Sequence, residues 1–442
     1  MAQRIFISAG EASGDLYGSL LIEALRERLG DAEFLGCGGD RMRAAGCQTL
    51  VDAKQVAMVG LVEVLPGLPR AWRALRKLEE TVRKDPPALA ILIDFPDFNL
   101  RLAKELKRTG TPVLYFIAPQ VWAWRPGRLK AIRRSVDRLL CIFPFEEAFF
   151  RAAQVPAEFV GHPLVGRVAP TFSSLEFRAR CGLPEATPLI ALLPGSRRRE
   201  ILLNLPPLIE TARKLAAEGD YCFLVPAAST VAGEWMRARV ADSSGRGSGG
   251  RADPALRDAF HVIEHHTYDV LAHAEVAVVA SGTATIETAL LGTPMVVVYR
   301  VSRLSWWLGR NLVKTPFYSM VNLVAGRRIV PEFIQDQFQP EAVAREVRQL
   351  LASPALRDNM QQELRNVAER LVRNDSNLSF RAAIPGQRQP DSASGGRGSL
   401  GGAGADDNKI IDPIQRAVAV AESLLQGPSG EKPARVAPGV TA

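Results

Sequence analysis

RIFISAGEASGDLYGSLLIEALRERL, residues 4–29, decides the fold. Residues 4–9 are a short apolar run, GEASGD at 10–15 supplies small residues for a sharp turn, and Leu16 to Leu29 is amphipathic. The order is therefore strand, glycine-rich turn, helix. The same alternation runs outward, with strands expected at 89–93, 113–117 and 138–143 between helical or basic segments. After VGHPLVG (160–166) a second series places strands at 189–193, 221–225, 260–263, 276–279 and 295–299, and helices at 199–217, 283–291, 341–351 and 355–372. Strands alternating with helices imply parallel sheets covered on both faces, so the fold class is α/β with two Rossmann-like domains hinged near 162–172.

Two segments fit neither series. DSSGRGSGGRAD (242–253) and residues 385–408 are rich in Gly and Ser and poor in apolar residues, and each is read as a flexible insertion. IIDPIQRAVAVAESLLQ follows the second with helical spacing, so a last helix is expected to dock on the body. The expected boundaries are 1–168, 169–372, a Gly/Ser-rich segment at 373–408, a helix at 409–426 and a disordered tail at 427–442.

With 442 residues, 47% hydrophobic and 23% charged, the chain has ample material for two packed cores. No uncharged apolar run reaches the roughly 18 residues a membrane-spanning helix needs, and Met1 leads straight into the first strand. A chain neither secreted nor spanning is expected. The five cysteines are scattered without a CxxC pair, which fits reduced packing residues and offers no metal-ligand spacing. A net charge of +8 suits phosphate, nucleic acid or anionic lipid alike.

Four segments carry side chains suited to chemistry. In GEASGD, the helix-start amides with Ser13, Gly14 and Asp15 can hold a phosphate or sugar oxygen, or the stretch is a tight turn with Asp15 as a cap. ILIDFPDFN (91–99) puts Asp94 and Asp97 at the carboxyl end of a strand, where open sheets bind ligands; Asp97 suits a general base, and a turn with a cap is the alternative. PQVWAWRPGR (119–128) offers Trp122 and Trp124 to stack on a sugar and Arg125 to bind phosphate, or anchors a loop. LLPGSRRREI places Gly195, Ser196 and Arg197 between strand and helix, where an arginine and helix-start amides stabilise a leaving diphosphate.

SGTATIE (281–287) repeats that pattern with Ser281, Gly282, Thr283 and Thr285, and spaces Glu287 to reach a ribose or sugar hydroxyl; taken singly, LPGSR and SGTATIE each also fit a surface turn, and together they point to a nucleotide site. Asn322, Arg327, Glu332 and Gln335 suit ligand recognition or ordinary capping. From Val64 to Lys84, Leu68, Trp72, Leu75, Leu78 and Val82 recur at helical spacing among Arg70, Arg73, Arg76, Lys77, Arg83 and Lys84. Such a helix lies in a bilayer interface, or packs on a core with a solvated charged face. Trp306, Trp307 and Leu308 between Arg303 and Arg310 make a second candidate contact.

Together these segments resemble the lipid-A-disaccharide synthase family, whose pattern includes GEASGD, DxPDFN, PQVWAWR, FPFE, VGHP, LPGSR, SGTATxE and NLxAGR. All occur here in that order, at 10–15, 94–99, 119–125, 143–146, 160–163, 193–197, 281–287 and 322–327. The resemblance implies a GT-B architecture, two Rossmann-like domains facing across a cleft, with an acceptor- and membrane-facing N-terminal domain and a UDP-sugar-binding C-terminal one. It implies inverting transfer of 2,3-diacylglucosamine from its UDP derivative to 2,3-diacylglucosamine 1-phosphate (lipid X), giving a β-1,6-linked disaccharide and UDP.

By family position Asp97 is the base, Arg197 serves the pyrophosphate, and Asn322 and Glu287 contact nucleotide or sugar; no divalent metal or other cofactor is implied. The acylated substrates imply work at the cytoplasmic leaflet of the inner membrane, through the contact set Leu68, Trp72, Arg73, Leu75 and Arg76. C-terminal helices are implied to cross back to the N-terminal domain, of the same chain or of a partner in a swapped homodimer. Other UDP-sugar enzymes of this fold, such as a UDP-N-acetylglucosamine 2-epimerase, lack WAWR and DFPDFN. A non-catalytic basic membrane-associated or nucleic-acid-binding protein would leave Asp97 and Glu287 without a role, and no nucleic-acid motif accompanies the charge.

Overall fold

The computed structural model describes residues 3–56, 68–123, 126–228, 231–244, 258–309, 315–373 and 411–427. It divides into two compact units, one formed by residues 1–121, 125–163 and 409–442, the other by 122–124 and 164–408. The Gly/Ser-rich insertions lie almost wholly outside the described residues.

The first unit holds seven parallel strands: β1 (Gln3–Ala9), β2 (Ala32–Gly38), β3 (Gln48–Asp52), β4 (Leu89–Ile93), β5 (Val113–Phe116), β6 (Arg138–Cys141) and β7 (Ala157–Phe159), in the order β3-β2-β1-β4-β5-β6-β7. The sequence did not announce β2, β3 and β7. They are short or interrupted by Gly and polar residues, so tertiary pairing rather than local pattern makes them strands. β1 and β4 run side by side and are completely buried over most of their length, as in a sheet covered on both faces. Because successive connections run outward from β1 on one side and from β4 on the other, the chain reverses direction across the sheet between them. The loops after β1 and β4 therefore meet at a topological switch point, the place where such sheets bind ligands.

The second unit repeats the design with β8 (Leu189–Leu193), β9 (Cys222–Ala227), β10 (Phe260–Glu264), β11 (Val276–Ala280), β12 (Met295–Tyr299) and β13 (Glu332–Ile334), in the order β10-β9-β8-β11-β12-β13. Its switch point lies between β8 and β11, so LPGSR and SGTATIE stand on adjacent strands.

The last helix, Pro413–Gln426, returns to the first unit. It packs on the helix Ala12–Leu29 and on β4 and β5 through buried Ile414, Ala417, Val418 and Ala421. Asp412 caps it by accepting from the amides of Ile414 and Gln415, and Arg416 pairs with Glu158 at 2.6 Å.

One sequence expectation is corrected here. On the helix Leu68–Lys84, Leu75, Leu78 and Val82 are buried in the core of the first unit. Each such burial is worth about 2 kcal/mol, so the stripe faces the sheet, and Leu75 is a packing residue rather than a membrane contact. Trp72 is 46% exposed, with the Arg76 guanidinium 4.8 Å from its ring. Arg73 is exposed and donates to Pro69 O, while the Leu68 side chain lies outside the described residues.

Candidate active site

At the first switch point the two loops lock into each other. Gly10 takes the face of the Phe95 ring, since a Cβ there would stand 2.3 Å from a ring carbon. Gly14 lets the helix Ala12–Leu29 start directly on β1, where a Cβ would meet that of Ala9 at 3.1 Å. Ser13 lies half-buried in the first turn of that helix.

Asp94 and Phe95 both take left-handed backbone conformations (φ 45° and 50°), and Ile117 at the end of neighbouring β5 does the same at 67°. For non-glycine residues this is a strained conformation, and for a β-branched isoleucine an outlier. Buried hydrogen bonds hold the first two in place. Asn99 donates to the carbonyls of Asp94, Ile93 and Ser8 and accepts from the Ser8 hydroxyl at 2.7 Å. The Tyr115 hydroxyl donates to Asp94 O at 2.6 Å, and burial raises its phenol pKa well above the usual value, so it stays a donor.

The strained turn opens the helix Pro96–Arg108 and sets Asp97 in its first turn, exposed and ion-paired with Arg128. Asp94 is half-buried in the turn itself. Trp122 is half-buried beyond β5, and Trp124 and Arg125 lie outside the described residues.

Asp15 does not face a ligand. Its carboxylate is buried and accepts from the amides of Gly39, Arg41 and Met42, capping the short helix Asp40–Ala44. The expected substrate contact is corrected to a brace between two helices, and Gly39 leaves the room for it.

At the second switch point Gly195 adopts φ +124° and Gly282 +149°, regions that favour glycine. The helix Arg198–Ala216 starts immediately after Arg197 and the helix Thr283–Leu290 after Gly282. Both present first-turn amides with no partner inside the helix, together with a partial positive charge. Glu200 organises the first loop, taking Arg197 at 2.9 Å and the Ser196 amide at 3.3 Å. Buried Asn204 then ties the loop to the end of β12, donating to Pro194 O and accepting from Arg300 N.

In SGTATIE, Gly282 and Thr283 are exposed, whereas Ser281 and Thr285 turn inward. The Ser281 hydroxyl donates to Tyr318 O at 2.8 Å, and fully buried Thr285 donates to Gly282 O, so Thr285 shapes the turn rather than touching a ligand. Glu287 lies one turn further on. Burial raises its carboxyl pKa, and the Tyr268 hydroxyl, 3.4 Å away, pulls it partly back.

Asn322 is also corrected. Completely buried, it donates to Val330 O and Glu332 Oε1 and accepts from the amides of Ile329 and Val330, so its amide capacity is used up. Arg327 pairs with Glu363 on the helix Pro354–Arg370, and Arg370 caps the carbonyls of Val324 and Ala325. That cluster fastens the NLxAGR turn to the unit.

Sequence reading assigned no role to Ser8, Asn99, Tyr115, Arg128, Glu200, Asn204 or Tyr268. Asn99 and Arg128 stood inside quoted stretches, and the Arg197–Glu200 spacing of three on a helix start was a legible signal. Tyr115 and Asn204 carried none.

Two doubly wound sheets, each with glycine-rich or strained loops at its switch point, place the chain in the GT-B fold class. Solved structures agree on the fold: a putative UDP-N-acetylglucosamine 2-epimerase from Listeria monocytogenes superposes with TM-score 0.52 at 13% identity, covering 82% of this chain and 91% of that one. A UDP-GlcNAc 2-epimerase from Neisseria meningitidis gives 0.52 at 10% identity over 84% and 98%. The family described as lipid-A-disaccharide synthetase matches residues 5–384. Lipid-A-disaccharide synthases of Solibacter usitatus and Myxococcus xanthus are 46% and 45% identical, covering 84% and 86% of this chain and 93% and 96% of theirs. The chain belongs to the lipid-A-disaccharide synthase family.

Proposed function

We propose that this protein is the inverting hexosyltransferase that joins 2,3-diacylglucosamine from its UDP derivative to lipid X, forming the β-1,6-linked lipid A disaccharide 1-phosphate and UDP. The observation that carries this reading is the pair of switch points, one presenting carboxylates and the other amides and an arginine, in a chain whose family match spans both. Inversion in one displacement needs a base for the acceptor hydroxyl and a sink for the charge that develops on the leaving diphosphate.

Asp97 is the base in this reading. It is exposed at a helix start, and Arg128 orients it. Asp94 shapes the turn that aims it. Arg197, the Gly195 amide, and those at Gly282 and Thr283 receive the diphosphate with Ser196 beside them, its own amide held by Glu200, while Glu287 accepts from the ribose hydroxyls. Ser13 and Gly14 at the first helix start, with Trp122, Trp124 and Arg125, border the acceptor. Asp15, Thr285, Asn322 and Arg327 support from behind, as their contacts dictate.

No helix among the described residues is long and apolar enough to cross a membrane. Contact with the inner membrane's cytoplasmic leaflet is supported by acylated substrates and by exposed Trp72 with Arg73 and Arg76 beside it. A swapped homodimer would use the docking face of the helix Pro413–Gln426 on a second copy, and sedimentation measures it. The deciding assay supplies both acylated substrates and reads the product by mass spectrometry. An acylated disaccharide phosphate is expected; UDP-N-acetylglucosamine epimerised or hydrolysed in its place would overturn the assignment.

A further inference from the structure

We propose that the helix Arg303–Gly309 of the second unit is a separate lipid-docking surface that takes the headgroup region of an anionic bilayer; this rests on the reading that the protein works at a membrane. Among the described residues six large apolar side chains are strongly exposed, and two of them, Leu304 (53%) and Trp307 (64%), stand on this one helix. Spaced three apart, they share a face. Trp306 turns the other way, its ring 6.3 Å from that of Tyr318. The Tyr318 carbonyl is the acceptor for the Ser281 hydroxyl. The exposed pair is thus tied through two contacts to the loop proposed to hold the diphosphate.

Charge identifies the occupant. The chain averages one acidic residue in about nine, 47 in 442, yet residues 288–331 contain none in 44 positions and carry Arg300, Arg303, Arg310, Lys314, Arg327 and Arg328. Arg300 and Arg327 are engaged within the unit, at Phe338 O and Glu363. Arg303 is exposed beside Leu304. Exposed tryptophan and leucine next to an exposed arginine, on a helix that carries no acidic residue of its own, match the interface of an anionic bilayer, where the ring sits at headgroup depth. A second copy of this chain fits poorly, because a two-fold contact through this face would set like charges against each other.

The test uses the full-length protein with vesicles of phosphatidylcholine and phosphatidylglycerol carrying brominated acyl chains, which quench tryptophans that enter the interface. In Trp72→Phe a quenched component of the emission is expected, and in Trp72→Phe/Trp307→Phe it should be absent. Leu304→Ser/Trp307→Ser should bind these vesicles about threefold to tenfold more weakly, and should turn over detergent-dispersed substrates at the wild-type rate. Equal quenching in the two tryptophan variants overturns the proposal. So does a Leu304→Ser/Trp307→Ser variant that binds vesicles normally and sediments as a smaller species, which would make the face a protein contact. If wild-type protein ignores the vesicles altogether, the membrane reading fails before this surface is reached.

Discussion

The two switch points share a topology and differ in material. The one between β1 and β4 is set by side chains: Asn99, Ser8 and Tyr115, all buried, hold Asp94 and Phe95 in left-handed backbone, and the product of that strain is an exposed carboxylate, Asp97. The one between β8 and β11 is set by main chain, with Gly195 and Gly282 freeing amides at two helix starts and Arg197 adding a full charge. One site is built to accept a proton and the other to receive negative charge. Strain is affordable in the first because neighbouring buried hydrogen bonds over-determine it; the second needs none, since glycine takes those conformations without penalty.

The sharpest way to break this contrast is Asp97→Ala, expected to lower turnover about a thousandfold or more while UDP titrates with near wild-type affinity in calorimetry. Normal turnover would remove Asp97 from the mechanism and leave the first switch point without a chemical role. Next comes Arg197→Ala, expected to lower kcat/KM about a hundredfold and, unlike the first variant, to weaken UDP binding. If both variants behaved alike, the division of labour between the sites would be wrong.

Asn99→Ala tests whether the first turn is held by its buried network. Three carbonyls and a serine hydroxyl lose their partner, and urea denaturation should show a loss of about 2–3 kcal/mol, together with reduced turnover. An unchanged midpoint would mean that the strained turn is held by something else.

The smallest effect separates binding from stability at the second site. Burial raises the Glu287 pKa above the ordinary value of 4.5, so between the two values the folded protein holds more protons than the unfolded chain. Stability contributed by the protonated carboxyl is present at and below 4.5 and is lost as pH rises through the folded value. Glu287→Gln should therefore melt higher than wild type at neutral pH, match it in acid, and bind UDP about tenfold more weakly. A melting difference independent of pH would show that the carboxylate is not desolvated.

Much of this was legible beforehand. Nine strands were expected near their observed positions, and the loops that carry the site follow β1, β4, β8 and β11, because glycine-rich turns between apolar runs report a local steric need. The roles of single side chains are less legible. Asp15 sits in a turn motif that suits a ligand contact, yet it caps a helix starting 25 residues later. Leu75 belongs to a helix stripe whose spacing fits a bilayer or a core equally, and only its burial distinguishes the two.

The sequence alone determined the α/β alternation, the family and the loops at the strand ends, since each of these depends on residues close together in the chain. Only the tertiary structure decided which polar groups remain for chemistry. A carboxylate or amide can make a fixed number of hydrogen bonds; the amides that claim Asp15 lie 24 to 27 residues away, and Ser8, which claims the Asn99 side-chain oxygen, lies 91 away. Those claims are settled when the strands pair.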